Sequence, residues 1–163
     1  MRHLEDIDRH QLAAVTTLVL DFDGTLTDGR VTINHMGYES VICSRRDGHG
    51  IAMARAAGIN VVVLSHVPSS PCIERCKALG VRFVFTDDKA AWLRDNLSFE
   101  ERATTLFAGD DLPDIDAMRV VGLSVAPLDA VEAVQRVATA ITYERGGDHC
   151  VRAIIDAILG ARR

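Results

Sequence analysis

The sequence has no long apolar run and no cluster of basic residues. Its hydrophobic stretches are short and interrupted by charge, so we expect no segment that spans a membrane. Residues 1–20 contain acids and histidines instead of the apolar core of a signal peptide, which predicts a cytoplasmic protein. With a net charge of −5 and no run of Lys and Arg, the chain is not expected to bind nucleic acid through a basic face.

The sequence also lacks a complete zinc-binding motif and the motifs of two common nucleotide-binding loops. Four cysteines are present, and Cys72 and Cys76 would share one face of a helix. Two ligands do not complete a zinc site, and no CxxC motif occurs, so reduced core thiols are predicted. Neither GxxxxGK[ST] nor GxGxxG follows a predicted strand, which argues against those phosphate-binding loops.

What the chain does contain is the composition of a globular domain, with 48% hydrophobic and 25% charged residues. Its 163 residues predict one domain over residues 1–163. Apolar runs predict strands at 18–22, 60–64, 81–85, 105–108 and 123–125, alternating with helices at 71–79, 89–97 and 112–120 and a closing amphipathic helix through 151–159. This alternation predicts an α/β fold, a doubly wound Rossmann-like parallel sheet with helices on both faces.

A β-hairpin is predicted between the first strand and the next helix. Residues 31–33 and 40–43 favour strands, and Gly37 suits the turn between them, which places the hairpin at about 29–44. Asp47 is then predicted to cap a helix that ends at Gly58. The segments on either side of residue 65 leave no room for a separate cap domain.

Acidic residues follow two of the predicted strands. Asp21 and Asp23 come at the end of the first strand, and Asp110, Asp111 and Asp114 follow the strand at 105–108. Ligands of such sheets bind at the carboxyl ends of the strands, so these carboxylates are expected to converge. Carboxylates from two loops form a site for a hard cation, and magnesium suits an open site of this kind.

Ser65 and Lys89 follow two further strands at the same predicted edge. A hydroxyl and an ammonium there can bind phosphoryl oxygens, and phosphoryl transfer depends mainly on positioning and charge neutralisation. Each motif alone also fits a turn or a helix cap. The coincidence of all four at strand ends favours a magnesium-dependent phosphatase.

The ordered set Asp-x-Asp-Gly-Thr-Leu-Thr, Ser, Lys and Gly-Asp-Asp-x-x-Asp resembles the haloacid dehalogenase superfamily over nearly the whole chain. The resemblance implies that Asp21 is the nucleophile that becomes an aspartyl phosphate and that Asp23 is the general acid and base. It implies that Ser65 and Lys89 bind phosphate. It also implies a Mg²⁺ site formed by Asp21, Asp23 (through its carbonyl) and Asp110, supported by Asp111 and Asp114.

Further motifs resemble an uncapped branch of that superfamily. The Arg45-Arg-Asp-Gly segment and the late Gly146-Gly-x-x-x-Val-Arg152 are similar to the octulosonate 8-phosphate phosphatases and to the phosphatases associated with acylneuraminate cytidylyltransferases. The resemblance implies a homotetramer formed through the hairpin. It also implies a small-molecule substrate, a phosphorylated 2-keto-3-deoxy sugar acid of the octulosonate 8-phosphate or nonulosonate 9-phosphate type.

Three further residues are candidates for binding the substrate. The segment Ser65-His66-Val67 departs from both related branches. Arg45 and Arg46 are candidates for binding a substrate carboxylate, because a guanidinium can pair with it bidentately, and His66 is a candidate for contacting substrate. Surface ion pairs for the arginines and a pocket wall for His66 are the alternatives.

Two other classes of protein share parts of the pattern. A receiver domain uses acids, a hydroxyl, a lysine and magnesium, but Lys89 comes too early in the chain for that arrangement. A non-catalytic assembly or regulatory module partnered with a cytidylyltransferase is a second alternative. Such modules usually lose residues of the Asp21 and Asp23 type, and both are present here.

Overall fold

Six parallel strands form the main sheet in the computed structural model, which describes residues 2–163. These strands are β1 (Thr17–Leu20), β4 (Asn60–Ser65), β5 (Arg82–Phe85), β6 (Thr105–Ala108), β7 (Leu123–Ala126) and β8 (Ala140–Ile141). The hairpin contributes β2 (Thr32–Ile33) and β3 (Glu39–Ser40). The predicted strands of the main sheet are therefore confirmed, and β8 is a further short strand that the sequence reading missed.

Helices follow most of the strands. They are α1 (Arg9–Ala13), α2 (Arg45–Ala56), α3 (Ser70–Leu79), α4 (Lys89–Asn96), α5 (Phe99–Ala103), α6 (Ile115–Met118), α7 (Glu132–Val137) and α8 (Cys150–Ala161), with 3₁₀ turns at Leu4–Asp6 and Leu112–Asp114. Within the described residues, none of these helices is both long enough and apolar enough to cross a bilayer.

The sheet has the order β5-β4-β1-β6-β7-β8, so β1 lies between the two halves of the sheet. The chain moves outward from β1 through β4 to β5 and then returns to the other side of β1 at β6. The order reverses at the carboxyl end of β1, where an open α/β sheet forms its ligand crevice. Asp21 lies there, and its amide donates to the carbonyl of Ala108 at 2.8 Å.

Helices cover both faces of the sheet because its central strands are apolar on both sides. In β1, Leu18 and Leu20 face a core that includes Ile51 of α2 and Ile155 of α8. Val19 faces the opposite core, which α4, α6 and α7 complete. This two-sided burial is the signature of a parallel sheet between helical layers, as predicted.

The start of α2 corrects one prediction. Ser44, rather than Asp47, caps the helix, since its Oγ accepts from the amides of Arg46 and Asp47 at 3.1 and 3.2 Å. Asp47 lies in the first turn, buried, and its Oδ1 accepts from the amide of Arg152 at 2.7 Å. Serine and aspartate are comparable N-caps, so the sequence alone did not separate them.

The helix predicted at 112–120 is also shorter than expected. A 3₁₀ turn comes first, and α6 ends at Met118. Gly122 then passes close to α5, because its amide donates to the carbonyl of Arg102 at 2.8 Å and a Cβ on it would lie 2.0 Å from the carbonyl oxygen of Ala103. Because Gly122 packs this closely on α5, α6 ends several residues before β7 begins.

The hairpin projects from the domain. Ile33 pairs with Glu39, and residues 31–40 are all exposed. The second strand is shorter than predicted, with Cys43 instead forming an isolated bridge to Thr27. Apolar side chains left in solvent at or beside the hairpin are Val31, Ile33, Met36, Tyr38 and Ile42. In the described part of the chain, this hairpin is the insertion after β1, and no cap domain accompanies it.

Three of the four cysteines lie in the core, as the sequence predicted. Cys72, Cys76 and Cys150 are buried, Cys43 is half-buried, and all four are free thiols. Cys72 and Cys76 share one face of α3 and pack into the core beside β4.

The contribution of α8 to stability can be tested at two adjacent residues. Ile158 is fully buried and Leu159 only partly. Ile158→Ala is expected to lower the free energy of unfolding by about 3 kcal/mol, because it leaves a cavity in the core, and Leu159→Ala by about 1 kcal/mol. Urea unfolding followed by circular dichroism measures both. Equal losses would contradict this packing of α8.

Candidate active site

The loop after β1 is held by its own backbone. The carbonyl of Phe22 accepts from the amides of Leu26 and Thr27 at 2.9 and 3.1 Å. The Oγ1 of Thr27 accepts from the amides of Gly24 and Gly29 at 3.2 and 3.1 Å. Because these bonds close the loop, the buried Asp21 side chain at its start has a fixed direction.

Gly24 allows a second acidic loop to approach. Its φ of 84° is a conformation that glycine adopts readily, and a Cβ at this position would lie 2.0 Å from Oδ2 of Asp110. The Oγ1 of Thr25 reaches Oδ1 of Asp110 at 3.5 Å. The β1 and β6 loops therefore meet at Asp110.

Lys89, the first residue of α4, lies between two carboxylates. Its Nζ is 2.5 Å from Oδ1 of Asp21 and 2.6 Å from Oδ1 of Asp114, and the residue is 3% exposed. Burial lowers the pKa of Lys89, but Asp21 and Asp114 more than offset this and raise the pKa above its ordinary value. The ammonium is therefore held in its charged form.

Three carboxylates converge around this ammonium. Oxygen atoms of Asp21, Asp110 and Asp114 all lie within 4.8 Å of one another. Oδ2 of Asp114 also accepts from the amides of Asp110 and Asp111 at 2.9 and 3.3 Å, which fixes the β6 loop. Asp111 is exposed, and its carboxylate turns away to accept from the amide of Leu112 at 2.7 Å.

One ammonium does not neutralise this cluster. Burial, followed by the charge of Asp114, raises the pKa of Asp21 well above its ordinary value despite the opposing effect of Lys89. Burial and Asp114 likewise raise the pKa of Asp110 to about 7. Converging carboxylates with raised pKa values are what a divalent cation with oxygen ligands would stabilise in the ionised form, so the residues present fit magnesium.

Asp23 lies two residues beyond the nucleophile candidate and is half-buried. Burial raises its pKa, Lys89 opposes the rise, and Glu39 of the hairpin adds to it. A carboxyl that retains its proton more readily than usual is suited to act as a general acid.

Ser65 is the last residue of β4, and His66 follows it. Ser65 is buried, and its Oγ donates to the carbonyl of Val67 and accepts from the amide of the same residue, both at 3.0 Å. The hydroxyl therefore closes a tight turn. His66 is half-buried, and its Nε2 has no hydrogen-bond partner among the described residues.

Arg45 and Arg46 are the first two residues of α2, and both are exposed. The bridge between Thr27 and Cys43 brings this end of α2 beside the β1 loop. Of the predicted site residues, Asp21, Lys89, Asp110 and Asp114 form one cluster, and the two arginines lie next to its loop at the start of a helix.

The sequence reading assigned no site role to the segment before α8. A Cβ on Gly146 would lie 1.8 Å from the carbonyl oxygen of Gly24, and the amide of Gly147 donates to the carbonyl of Thr25 at 3.0 Å. The two adjacent glycines were the available signal, because a glycine pair often marks a close approach of two backbones.

Several known phosphatases are similar to this chain. No protein-family model matches the chain. The phosphatase KdsC of Salmonella typhi, named for 3-deoxy-D-manno-octulosonate 8-phosphate, is 31% identical over 152 residues, covering 91% of this chain and 81% of the relative.

Two solved structures are similar over most of their length. The cobalt-bound octulosonate 8-phosphate phosphatase YrbI of Haemophilus influenzae has a TM-score of 0.85 and 30% identity, covering 93% of this chain and 91% of that one. The corresponding phosphatase of Moraxella catarrhalis, in complex with magnesium, phosphate and KDO, has a TM-score of 0.87 and 27% identity, covering 94% and 91%.

Taken with the parallel sheet and the acidic cluster at its switch point, these similarities define a phosphatase of the haloacid dehalogenase superfamily, with Mg²⁺ as its cofactor. Within that superfamily the chain belongs to the KdsC family.

The raised pKa of Asp110 predicts how the metal-free protein responds to pH. Asp in an unfolded chain titrates near about pH 3.9, whereas the pKa of Asp110 is about 7 in the folded state. The folded state keeps a proton that the unfolded state releases, so this group's contribution to stability is lost as pH rises from about 4 to 7.

Urea unfolding with a chelator, at about pH 5.5 and about pH 8, measures this effect. Asp110→Asn is expected to reduce the decline in the free energy of unfolding between the two pH values. Asp95→Asn, which changes an exposed carboxylate of α4 outside the acidic cluster, is the control. An unchanged decline in Asp110→Asn would contradict the assigned proton.

Proposed function

We propose that the protein hydrolyses the phosphomonoester of a phosphorylated 2-keto-3-deoxy sugar acid, of the octulosonate 8-phosphate or nonulosonate 9-phosphate type, through an aspartyl phosphate. One observation carries the proposal. Asp21 is buried at the switch point of the sheet, bonded to Lys89 and surrounded by the carboxylates of a cation site. A nucleophile, a fixed cation and a metal site within one cluster are what phosphoryl transfer requires.

The reaction has two displacements. A carboxylate oxygen of Asp21 attacks phosphorus, and the bond from phosphorus to the sugar oxygen breaks while Asp23 gives that oxygen a proton. Water then attacks the phosphorus of the aspartyl phosphate, the bond from phosphorus to the Asp21 oxygen breaks, and Asp23 takes a proton from the attacking water. Inorganic phosphate leaves, and Asp21 and Asp23 return to their starting forms.

The surrounding residues bind and orient. Lys89 and Ser65 would donate to phosphoryl oxygens, and the Ser65 hydroxyl would turn from the Val67 carbonyl to do so. Asp114 fixes Lys89 and the amide of Asp110, which makes it a positioning residue.

Asp21, Asp110 and the backbone carbonyl of Asp23 are the proposed magnesium ligands. Asp111 and Asp114 support the same loop. When bound, magnesium neutralises the charge that phosphate and carboxylates bring together.

The substrate class is supported by the relatives and by the chemistry at the rim of the site. Relatives at 27–31% identity are named for an octulosonate 8-phosphate, and one of them was solved with KDO. Arg45 and Arg46 would bind the substrate carboxylate, since an exposed guanidinium at a helix start is free to pair bidentately. His66 would contact the sugar through its unpartnered Nε2.

Phosphate release tests the reaction. The purified protein should release phosphate from octulosonate 8-phosphate or a nonulosonate 9-phosphate faster than from hexose phosphates or a nucleotide, with magnesium and not with chelator. Asp21→Asn should lose at least about 10³-fold in kcat, because no other residue replaces the nucleophile. Asp95→Asn, at an exposed carboxylate of α4 outside the site, is the matched control. Activity that persists in Asp21→Asn would reject the aspartyl phosphate.

The hairpin is the proposed interface of a homotetramer in the cytoplasm. Its exposed apolar side chains include Ile33, Met36 and Ile42. A two-stranded hairpin is marginally stable alone, and an exposed apolar patch of this kind marks an interaction surface. Covering them with the hairpins of other copies would bury this surface.

Light scattering tests the assembly. The protein is expected to have about four times the mass of the chain, and Ile33→Glu with Ile42→Glu should reduce it to monomers, because buried unpaired charges oppose association. Val67→Glu, an exposed apolar residue at the end of β4, is the control. A monomeric wild-type protein would reject the interface.

A further inference from the structure

His149 has a backbone conformation that histidine rarely adopts. Its φ is 79° and its ψ is 9°, and among the described residues it alone has a positive φ without being a glycine. Side chains with a Cβ are strained in this left-handed region, and such strain persists where the surrounding structure enforces it. The imidazole therefore makes contacts that a glycine at the same position would not make.

The His149 side chain forms its hydrogen bond with the cap of α2 and not with α8, the helix that His149 precedes. It stands at the N-cap of α8 but makes no side-chain hydrogen bond to that helix. Its Nδ1 lies instead 2.9 Å from Oγ of Ser44, the residue that caps α2. The contact joins the start of α8 to the start of α2.

The hydrogen bonds around Ser44 fix the imidazole tautomer. Oγ of Ser44 already accepts from the amides of Arg46 and Asp47, at 3.1 and 3.2 Å, so both of its acceptor positions are used. Its hydroxyl hydrogen is therefore donated to Nδ1 of His149. The imidazole proton must then be on Nε2, which lies 3.4 Å from Oδ1 of Asp148.

The same junction touches the catalytic loop. Gly147 donates its amide, and Cys150 its thiol, to the carbonyl of Thr25, at 3.0 and 3.2 Å. His149 lies between these two residues in the chain. Its contact with Ser44 thus ties the first turn of α2 to the segment that is packed on the loop of Asp21.

We propose that His149 is a positioning residue for substrate binding, which acts through Ser44 to hold the first turn of α2 and with it Arg45 and Arg46. This inference rests on the proposed function, because it assumes that the two arginines bind the carboxylate of the substrate. A neutral imidazole with its proton on Nε2 supplies the acceptor that the Ser44 hydroxyl needs while Ser44 caps the helix.

His149→Gly separates this role from a purely structural one. Glycine relieves the backbone strain, so the melting temperature is expected to stay within roughly 3 °C of wild type. The KM for a 2-keto sugar acid phosphate is expected to rise about 3- to 10-fold, with kcat within about twofold, because one positioning contact is lost. The KM for p-nitrophenyl phosphate, which has no carboxylate, should change at least about threefold less.

Two further variants test whether His149 affects KM through Ser44 and the two arginines. His149→Asn should restore most of the loss in KM, since asparagine tolerates the left-handed conformation and its amide oxygen can accept from Ser44. In a background of Arg45→Ala and Arg46→Ala, His149→Gly should have no additional effect on KM. His10→Asn, at an exposed histidine of α1, is the control.

Failure of this inference and failure of the proposed substrate are distinguishable. If the wild type cleaves p-nitrophenyl phosphate but no sugar acid phosphate, the substrate class is wrong. The ¹⁵N spectrum of His149 and the exchange of the Arg46 and Asp47 amides then test the positioning contact directly. A proton on Nδ1, unchanged amide exchange in His149→Gly, or an equal KM change for both substrates would overturn the inference.

Discussion

The buried ammonium of Lys89 is the interaction on which the site depends. It lies 2.5 and 2.6 Å from Asp21 and Asp114, which come from loops on two neighbouring strands. Removing one partner of a buried ion pair leaves an uncompensated charge, so neither carboxylate can be replaced without affecting the others. One ammonium does not neutralise three carboxylates, and the remaining negative charge makes the cluster suitable for a divalent cation.

The rest of the fold serves to bring these groups together. Because β1 lies at the point where the strand order reverses, its carboxyl end faces loops from both halves of the sheet. Lys89 comes from the half that contains β4 and β5, whereas Asp110 and Asp114 come from the half that begins with β6. Gly24 then leaves room for the Asp110 side chain, and Gly146 lets its own backbone approach the Gly24 carbonyl.

Most of the fold and the acidic cluster could be predicted from sequence. Buried strands and the residues that follow them are local signals. The parallel sheet therefore followed from the apolar runs, and the convergence of Asp21, Lys89 and Asp110 followed from their positions at the carboxyl ends of strands. The residue that caps α2 could not be predicted in the same way, because serine and aspartate are comparable N-caps. Asp47 accepts a hydrogen bond from the distant amide of Arg152, and Ser44 is the cap. His149 was missed for a related reason, since a left-handed backbone depends on contacts distant in sequence.

The close packing of Gly146 and Gly147 has a consequence for how the protein is made. The loop that carries Asp21 is synthesised early, but its carbonyls at Gly24 and Thr25 meet their neighbours only when residues 146 and 147 have left the ribosome. Strands β1, β4 and β5 are available to pair long before that point. A nascent chain can thus build half of its sheet while the site is still unfinished, because the segment that packs on the Asp21 loop is synthesised after every strand of the sheet.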